Sequence, residues 1–313
     1  MENIKIVAGF AGIGQGAGPM ILTQKAGIFA QYGLDVETPL VPGAVGVIKA
    51  LMRGELQFGN LAAPALLRAG LVDGSDVVYL TGGINQQFLM GRPGIADRKQ
   101  LAGGKITFAR DGGVNDLLVH FITEQLQREG IHNIELTPRQ GRDRERISYL
   151  LAGECDAGIF SPPLAIEAKR RGCHFLIDFA DYGLNFALGG IGARRSYVAQ
   201  HPEITTKFLK AYVTGMHRYH TDRAFAVQVQ QEYSGIADRS VAEETYDITR
   251  PGMPRVPYPV TQALTTALRV MAKELPAAVT ADGRQFVEDR FLREIEHSGF
   301  IASLYRTEPT HLD

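Results

Sequence analysis

Five short segments of the 313-residue chain place small residues, several beside an amide or hydroxyl, where an apolar run gives way to a helical one. They are AGIGQGAG (11–18), PGAVG (42–46), NLAAP (60–64), RDGGVND (110–116) and SPP (161–163). Glycine lets the main chain approach a ligand closely, and the first N–H groups of a helix have no partner inside it. Such groups bind a carboxylate, a sulfonate or a carbonyl oxygen without any charged side chain. Gln15, Asn60, Asn115 and Ser161 are therefore read as hydrogen-bonding contacts, with Gly14, Gly43, Ala44, Ala62 and Gly113 offering backbone. Asn60, Asn115 and Ser161 each have a structural alternative, because Asn and Ser are also among the best helix N-caps.

Bond-making chemistry is not declared. The chain has no P-loop, no G-x-S-x-G, no H-E-x-x-H and no C-x-x-C, the patterns that assemble a nucleophile, a metal or a phosphate cradle. His217 and His220 form an i, i+3 pair in a region of helical packing, and a core or surface role is preferred there to metal binding. Gly12, Gly14 and Gly16 meet the dinucleotide fingerprint only imperfectly, and no acidic ribose partner has a firm place. Cys155 and Cys173 sit in apolar runs and read as inert buried thiols. No catalytic residue, metal or cofactor is expected.

The charge balance, Lys+Arg 33 against Asp+Glu 34, argues against nucleic acid or an anionic membrane as the principal partner. No run approaches the roughly 18 apolar residues of a membrane span. The start, MENIKIVAGF, lacks a basic n-region followed by an apolar h-region. The chain is expected to be periplasmic if an export leader has been removed, and otherwise cytoplasmic.

The elements that position these loops repeat one grammar. Strands are expected at Ile4–Phe10, Val36–Leu40, Leu56–Asn60 and Val77–Thr81, with helices from about Pro19, Ala44 and Pro64 between them. Short apolar strands alternating with helices indicate parallel βαβ units covered on both faces. The grammar restarts after RPGIADRKQLAGG, with strands at Ile106–Ala109, Ile134–Thr137, Ala157–Phe160 and Phe175–Phe179 and helices from about Val114, Asp143 and Pro163. That restart marks a second lobe. FALGGIGA reads as one further strand. Helices follow from Pro202, at Arg223–Tyr233, at Val241–Ile248 and at Val260–Leu275, and FLREIEHSGF as a single last helix.

The phrases KAGIFAQYGLDVE, ALMRGELQFGNLAAPALL, LAGGKITFARDGGVNDLL, LLAGECDAGIFSPPLA and HPEITTKFLKAYVTG occur in an order that resembles the type II periplasmic-binding-protein superfamily. The branch is that of the sulfonate, taurine, nitrate and thiamine-pyrimidine binders of ABC transporters. The resemblance implies an α/β fold of two lobes, each a mostly parallel sheet flanked by helices. Residues 1–90 with 187–313, including the C-terminal helices, would form one lobe and 93–185 the other, with hinge crossovers near 86–93 and 183–189.

In open parallel sheets ligands lie beyond the carboxyl ends of the strands, which brings the five loops to one interlobe cleft. Asn85 and Gln87 in TGGINQQFLMGRP, and Asp181, Tyr182 and Asn185 in DYGLNFALGG, then face either that cleft or the hinge. Asp111 could answer charge on a ligand, whereas its neighbour Arg110 reads as one side of an ion pair. Arg139, Arg142, Arg144 and Arg146 look like a solvated helix start at the cleft rim. The chain has no tryptophan, so Phe10, Tyr182 and Phe186 are the rings available for stacking.

The function expected is binding of a small polar or anionic organic molecule by hinge closure, for delivery to the membrane subunits of an ABC uptake system. Two alternatives stay open. One is a cytosolic enzyme on the same fold, of decarboxylase, thiamine-pyrimidine or menaquinone-pathway type, although the cysteine-rich iron motif of the fungal thiamine-pyrimidine synthase is absent. The other is a ligand sensor.

Overall fold

The computed structural model describes residues 2–12, 14–83, 86–109, 113–138, 143–182 and 189–306. In the first lobe, β1 (Ile4–Phe10) leads through α1 (Gly18–Lys25) and α2 (Ile28–Gln31) to β2 (Leu34–Glu37). α3 (Gly43–Met52), β3 (Phe58–Ala62), α4 (Ala63–Val72) and β4 (Val77–Tyr79) follow. β2 buries Leu34 and Val36 and exposes Asp35 and Glu37, the period-two pattern of a strand with one solvated face. It lies at the sheet edge and pairs in parallel with β1, which pairs in parallel with β3.

The second lobe comprises β5 (Phe88–Gly91), β6 (Lys105–Phe108), α5 (Val114–Arg128), β7 (Glu135–Pro138), α6 (Asp143–Leu151), β8 (Ala157–Phe160), α7 (Pro162–Arg170) and β9 (His174–Asp178). All four residues of β8 are buried, as befits a central strand covered on both faces. The chain then returns to the first sheet as β10 (Gly189–Arg194).

The strand orders are β2-β1-β3-β10-β4 and β7-β6-β8-β5-β9. β10 runs antiparallel to β3 and β4, and β5 runs antiparallel to β8 and β9. The two strands that carry the chain between lobes thus occupy equivalent positions. Each enters its sheet from the end opposite to the βαβ units, so each must be antiparallel.

Most expected elements are present within a residue or two, and three readings need correction. Phe88–Gly91, expected to precede a crossover near 86–93, is itself a strand of the second sheet. The crossover therefore lies ahead of residue 88. The single last helix is two, α13 (Arg290–His297) and α14 (Phe300–Tyr305), because Gly299 between them takes φ 76°, a conformation that ends a helix. Arg146 is not solvated. It is 1% exposed, with its guanidinium 5.7 Å from the centre of the Phe160 ring, whereas Arg144 stays at the surface and pairs with Glu167 at 2.7 Å.

The remaining helices, α8 (Arg195–Gln200), α9 (Pro202–Thr221), α10 (Arg223–Ser234), α11 (Arg239–Thr249) and α12 (Thr261–Met271), precede α13. α9 buries Phe208, Leu209, Tyr212, Val213 and Met216 at helical spacing against α1 and the first sheet. Cys155 and Cys173 are buried and form no disulfide. No described helix is long and apolar enough to cross a membrane.

His220 of α9 rings against Tyr305. Burial, and then the charge of Arg250, lower its imidazole to about 4. The unfolded chain therefore takes up a proton on His220 as pH falls through the ordinary imidazole range, while the folded chain resists it down to about pH 4. Stability contributed by the neutral ring is lost across that window. His220→Gln is expected to reduce the fall in Tm on acidification from about pH 7 to 4, measured by calorimetry beside the wild type.

Candidate functional site

A cavity of about 280 Å³ lies where loops of the two sheets meet. Its first-lobe wall is a set of loops tied together by main chain. The Ala11 N–H donates to the Asn60 carbonyl at 3.1 Å and the Gly43 N–H donates to the Ala11 carbonyl at 3.0 Å. Asn60 Nδ2 adds a bond to the Gly16 carbonyl at 3.0 Å. Gly43 takes φ 74° as it opens α3, where a side chain would be strained.

These bonds bring Gly14 and Gly16 before α1, Gly43 and Ala44 at the start of α3, and Ala62 at the start of α4 onto one surface. The second lobe contributes Gly113 and Asn115 from the start of α5, and Ser161 from the start of α7. Gln87, 7% exposed, lines the cavity beside the crossing strand β5, and its carbonyl accepts from the Phe179 N–H at 3.2 Å.

The N-termini of α3, α4, α5 and α7, with the Gly14–Gly16 turn that leads into α1, thus converge on one space from both lobes. Each carries roughly half a positive charge on N–H groups unpaired within the helix. None of the cap residues closes a helix end with its own side chain. The caps are Ala17, Pro42, Ala62, Gly113 and Ser161, and none makes a side-chain capping bond. The described residues that line the cavity are all uncharged. The first turns of α1, α3, α4 and α7 hold no acidic residue, and Asp116 of α5 lies 3.6 Å from His120 on its own helix. The arrangement offers donors and positive potential, which suits an oxyanion.

The capping alternatives do not hold for Asn60, Asn115 or Ser161, since the first two are not cap residues and the Ser161 hydroxyl makes no cap bond. Asn60 instead fixes the Gly16 loop. Asn60→Ala is expected to cost about 1 kcal/mol of stability through that lost bond, read as a lower urea midpoint at unchanged slope, together with several-fold weaker binding.

Asp181 is not brought to the cavity. It is exposed in the short turn Phe179–Tyr182, because the strand before it ends at Asp178 and turns the segment outward. Tyr182 packs edge-on to Phe121 at 5.5 Å, and Phe10 to Tyr233 at 6.5 Å. The side chain of Gln15, and residues Asn85, Arg110, Asp111, Arg139, Arg142, Asn185 and Phe186, lie outside the described residues. Sequence reasoning missed Ala11, Gly12 and Gly16, which are in the motif AGIGQGAG, Leu61, Ala109 and Val114 at strand ends and helix starts, and Gly189, where the returning chain meets the cavity. The acid of raised pKa nearest in sequence to the return crossover is Asp178. Burial raises it, against hydrogen bonds from the Ala180 N–H and the Gln86 amide. Asp178 does not line the cavity.

Residues 16–223 match the family described as NMT1/THI5 like. Among curated proteins, none matches the chain. Solved structures share the fold at low identity. The periplasmic aliphatic sulphonate binding protein SsuA from Escherichia coli is 17% identical over 91% of this chain and 92% of its own, with a TM-score of 0.74. The periplasmic nitrate-binding protein NrtA from Synechocystis PCC 6803 is 13% identical over 99% and 93%, at 0.68. The desulfurization enzyme DSZB is 14% identical over 94% and 99%, also at 0.68, and a variant of it is solved with biphenyl-2-sulfinic acid. The fold is that of the type II periplasmic binding proteins.

Proposed function

Taking as premise that the chain belongs to the NMT1/THI5-like family, we propose that it binds one small organic oxyanion, a sulfonate or carboxylate, in the interlobe cavity. The observation that carries this reading is the convergence of four helix N-termini and the Gly14–Gly16 turn on a space whose described lining is uncharged. An anion there is met by fixed dipoles and N–H donors already held in place by the Ala11, Asn60 and Gly43 bonds. Gly14, Gln15, Gly43, Ala44, Asn60 and Ala62 would serve from one lobe. Gly113, Asn115 and Ser161 would serve from the other, with Gln87 at the hinge.

Residues 1–87 with 189–313 form the first lobe of this reading and 88–182 the second, joined by the two crossovers. The closed form is selected because it alone engages donors from both lobes. SsuA and NrtA bind a sulphonate and nitrate, which supports an oxyanion ligand here. The same analogy supports reading the protein as the periplasmic solute-binding component of an ABC importer, with the transporter's membrane subunits as partner.

A second reading, an enzyme acting on such an anion, is favoured by the likeness to DSZB. A thermal-shift screen of alkanesulfonates, carboxylates and nitrate, each beside a neutral isostere, separates the possibilities. A binder is stabilised by RT ln(1 + [L]/Kd), about 2.7 kcal/mol at a hundred times Kd. An anion that raises Tm while its neutral isostere does not, and that is recovered with unchanged mass, supports the binder. Equal shifts for neutral and anionic partners overturn the oxyanion reading, and a hit recovered at a new mass makes the protein an enzyme.

A further inference from the structure

The C-terminal helices do more than complete the first lobe. α12 packs against α4 of the first lobe and α5 of the second, and its Leu264 and Leu268 share one apolar cluster with Leu66 of α4 and Phe121 of α5. Glu124 of α5, whose side chain is only 17% exposed, receives Arg269 at 3.3 Å and also Lys273, both from the C-terminal segment. On another face of the second lobe, α11 packs against α7. There Lys169 reaches Glu244 at 3.0 Å, and Arg170 reaches Asp238 at 2.8 Å and Glu244 at 3.3 Å. Ile166 of α7 joins the apolar cluster of the first lobe, and Ile248 of α11 packs on that of the second.

We propose that these two ionic clusters are clasps that bridge the lobes and set the balance between open and closed cleft. Their polarity is reversed. The second lobe supplies the anion to the α12 clasp and the cations to the α11 clasp, so the pair fixes one register of the second lobe against the C-terminal helices. The α12 clasp is the stronger, because its carboxylate is largely removed from water and takes two charge-assisted bonds, whereas the α11 pairs are more exposed and screened by salt. Burial alone would push the Glu124 carboxyl up, but the bonds from Lys273 and Arg269 outweigh it and hold the group below its ordinary range. Glu124 is therefore ionised at neutral pH. The residues lining the cavity take no part in either clasp, so the inference stands whether or not the ligand is an oxyanion.

The test uses the full chain with spin labels at Lys49→Cys and Ser148→Cys, exposed positions on α3 and α6, and electron-spin distance measurements without ligand. The native cysteines are buried and are left in place. Glu124→Lys is expected to move roughly tenfold more of the population to the longer, open distance. The triple exchange Glu124→Lys with Arg269→Glu and Lys273→Glu is expected to restore the closed distance. Should Glu124→Lys fail to fold, Glu124→Gln in about 0.5 M salt, where the Debye length is only a few ångströms, gives the same shift in weaker form. A distance distribution that does not respond to Glu124→Lys or Glu124→Gln in a folded protein overturns the proposal. So does a triple exchange that folds without restoring the closed distance.

Discussion

Gly14→Asp is expected to weaken anion binding by roughly 100-fold or more while leaving the fold in place. A Cβ built at Gly14 meets nothing within 4 Å, and Gly14 is not among the glycines of positive φ, so the side chain enters open space at the mouth of α1 without strain. There it places a carboxylate in the cavity lined by the starts of α3, α4, α5 and α7. Two like charges about 4–5 Å apart interact by roughly 3–4 kcal/mol at an effective dielectric constant near 20. The new carboxylate also satisfies the N–H groups that would have served the ligand. Gly14→Asn, of equal size and without charge, is expected to lose far less. Calorimetric titration of both variants with the best anionic hit reads the difference, and equal losses would assign the effect to bulk rather than charge.

The largest effect on stability is expected at Gly215→Ala. In an exposed helix interior this change stabilises by up to about 1 kcal/mol. Gly215 of α9, however, lies against α1. A Cβ there would press on the Thr23 hydroxyl and come within 2.8 Å of Thr23 Cβ and 3.2 Å of its Cα. Thr23 is fully buried, and its hydroxyl donates to the Pro19 carbonyl at 2.6 Å. Neither rotation of that side chain nor a shift of the backbone is cheap, and overpacking of this kind costs roughly 1–3 kcal/mol. A fall in Tm of roughly 2–5 °C is expected, with part of it recovered in Gly215→Ala combined with Thr23→Ala. Because α1 carries the Gly14–Gly16 loop to the cavity, the displaced helix should weaken binding as well. An unchanged Tm would show that α1 and α9 are not packed as closely as described.

The fold was legible where local signals agree with tertiary ones. The glycines at 43 and 113 mark loops, the apolar runs ahead of them mark strands, and the prolines at 64, 163 and 202 mark helix starts; α9 opens at Pro202 as read. Phe88–Gly91 was not legible as a strand because nothing in QQFLMG distinguishes it from a hinge. Its identity depends on pairing with Ala157–Phe160 and His174–Asp178, some 70 to 90 residues away. Arg146 fails for the same reason. Within RDRER it reads as solvated, and only the fold lays it under Phe160.

The site was legible to the extent that it is built from backbone. Gly14, Gly43, Ala44, Ala62 and Gly113 reach the cavity because strand ends and helix starts carry them there. Side chains on the irregular segments were harder to place. Asp181 turns outward on a one-turn helix that no periodicity announces. The roles of Glu124, Arg269 and Lys273 belong to packing between helices remote in sequence, and a helical pattern alone does not name the neighbour.

The central claim is that one oxyanion is held by helix N-termini of both lobes at once. A crystal structure with the tightest anionic hit of the thermal-shift screen tests it most directly. The anionic oxygens should lie within about 3.2 Å of N–H groups at the start of α3 or α4 on one side and of α5 or α7 on the other. An anion bound to a single lobe, or held outside this cavity at saturating concentration, would contradict it.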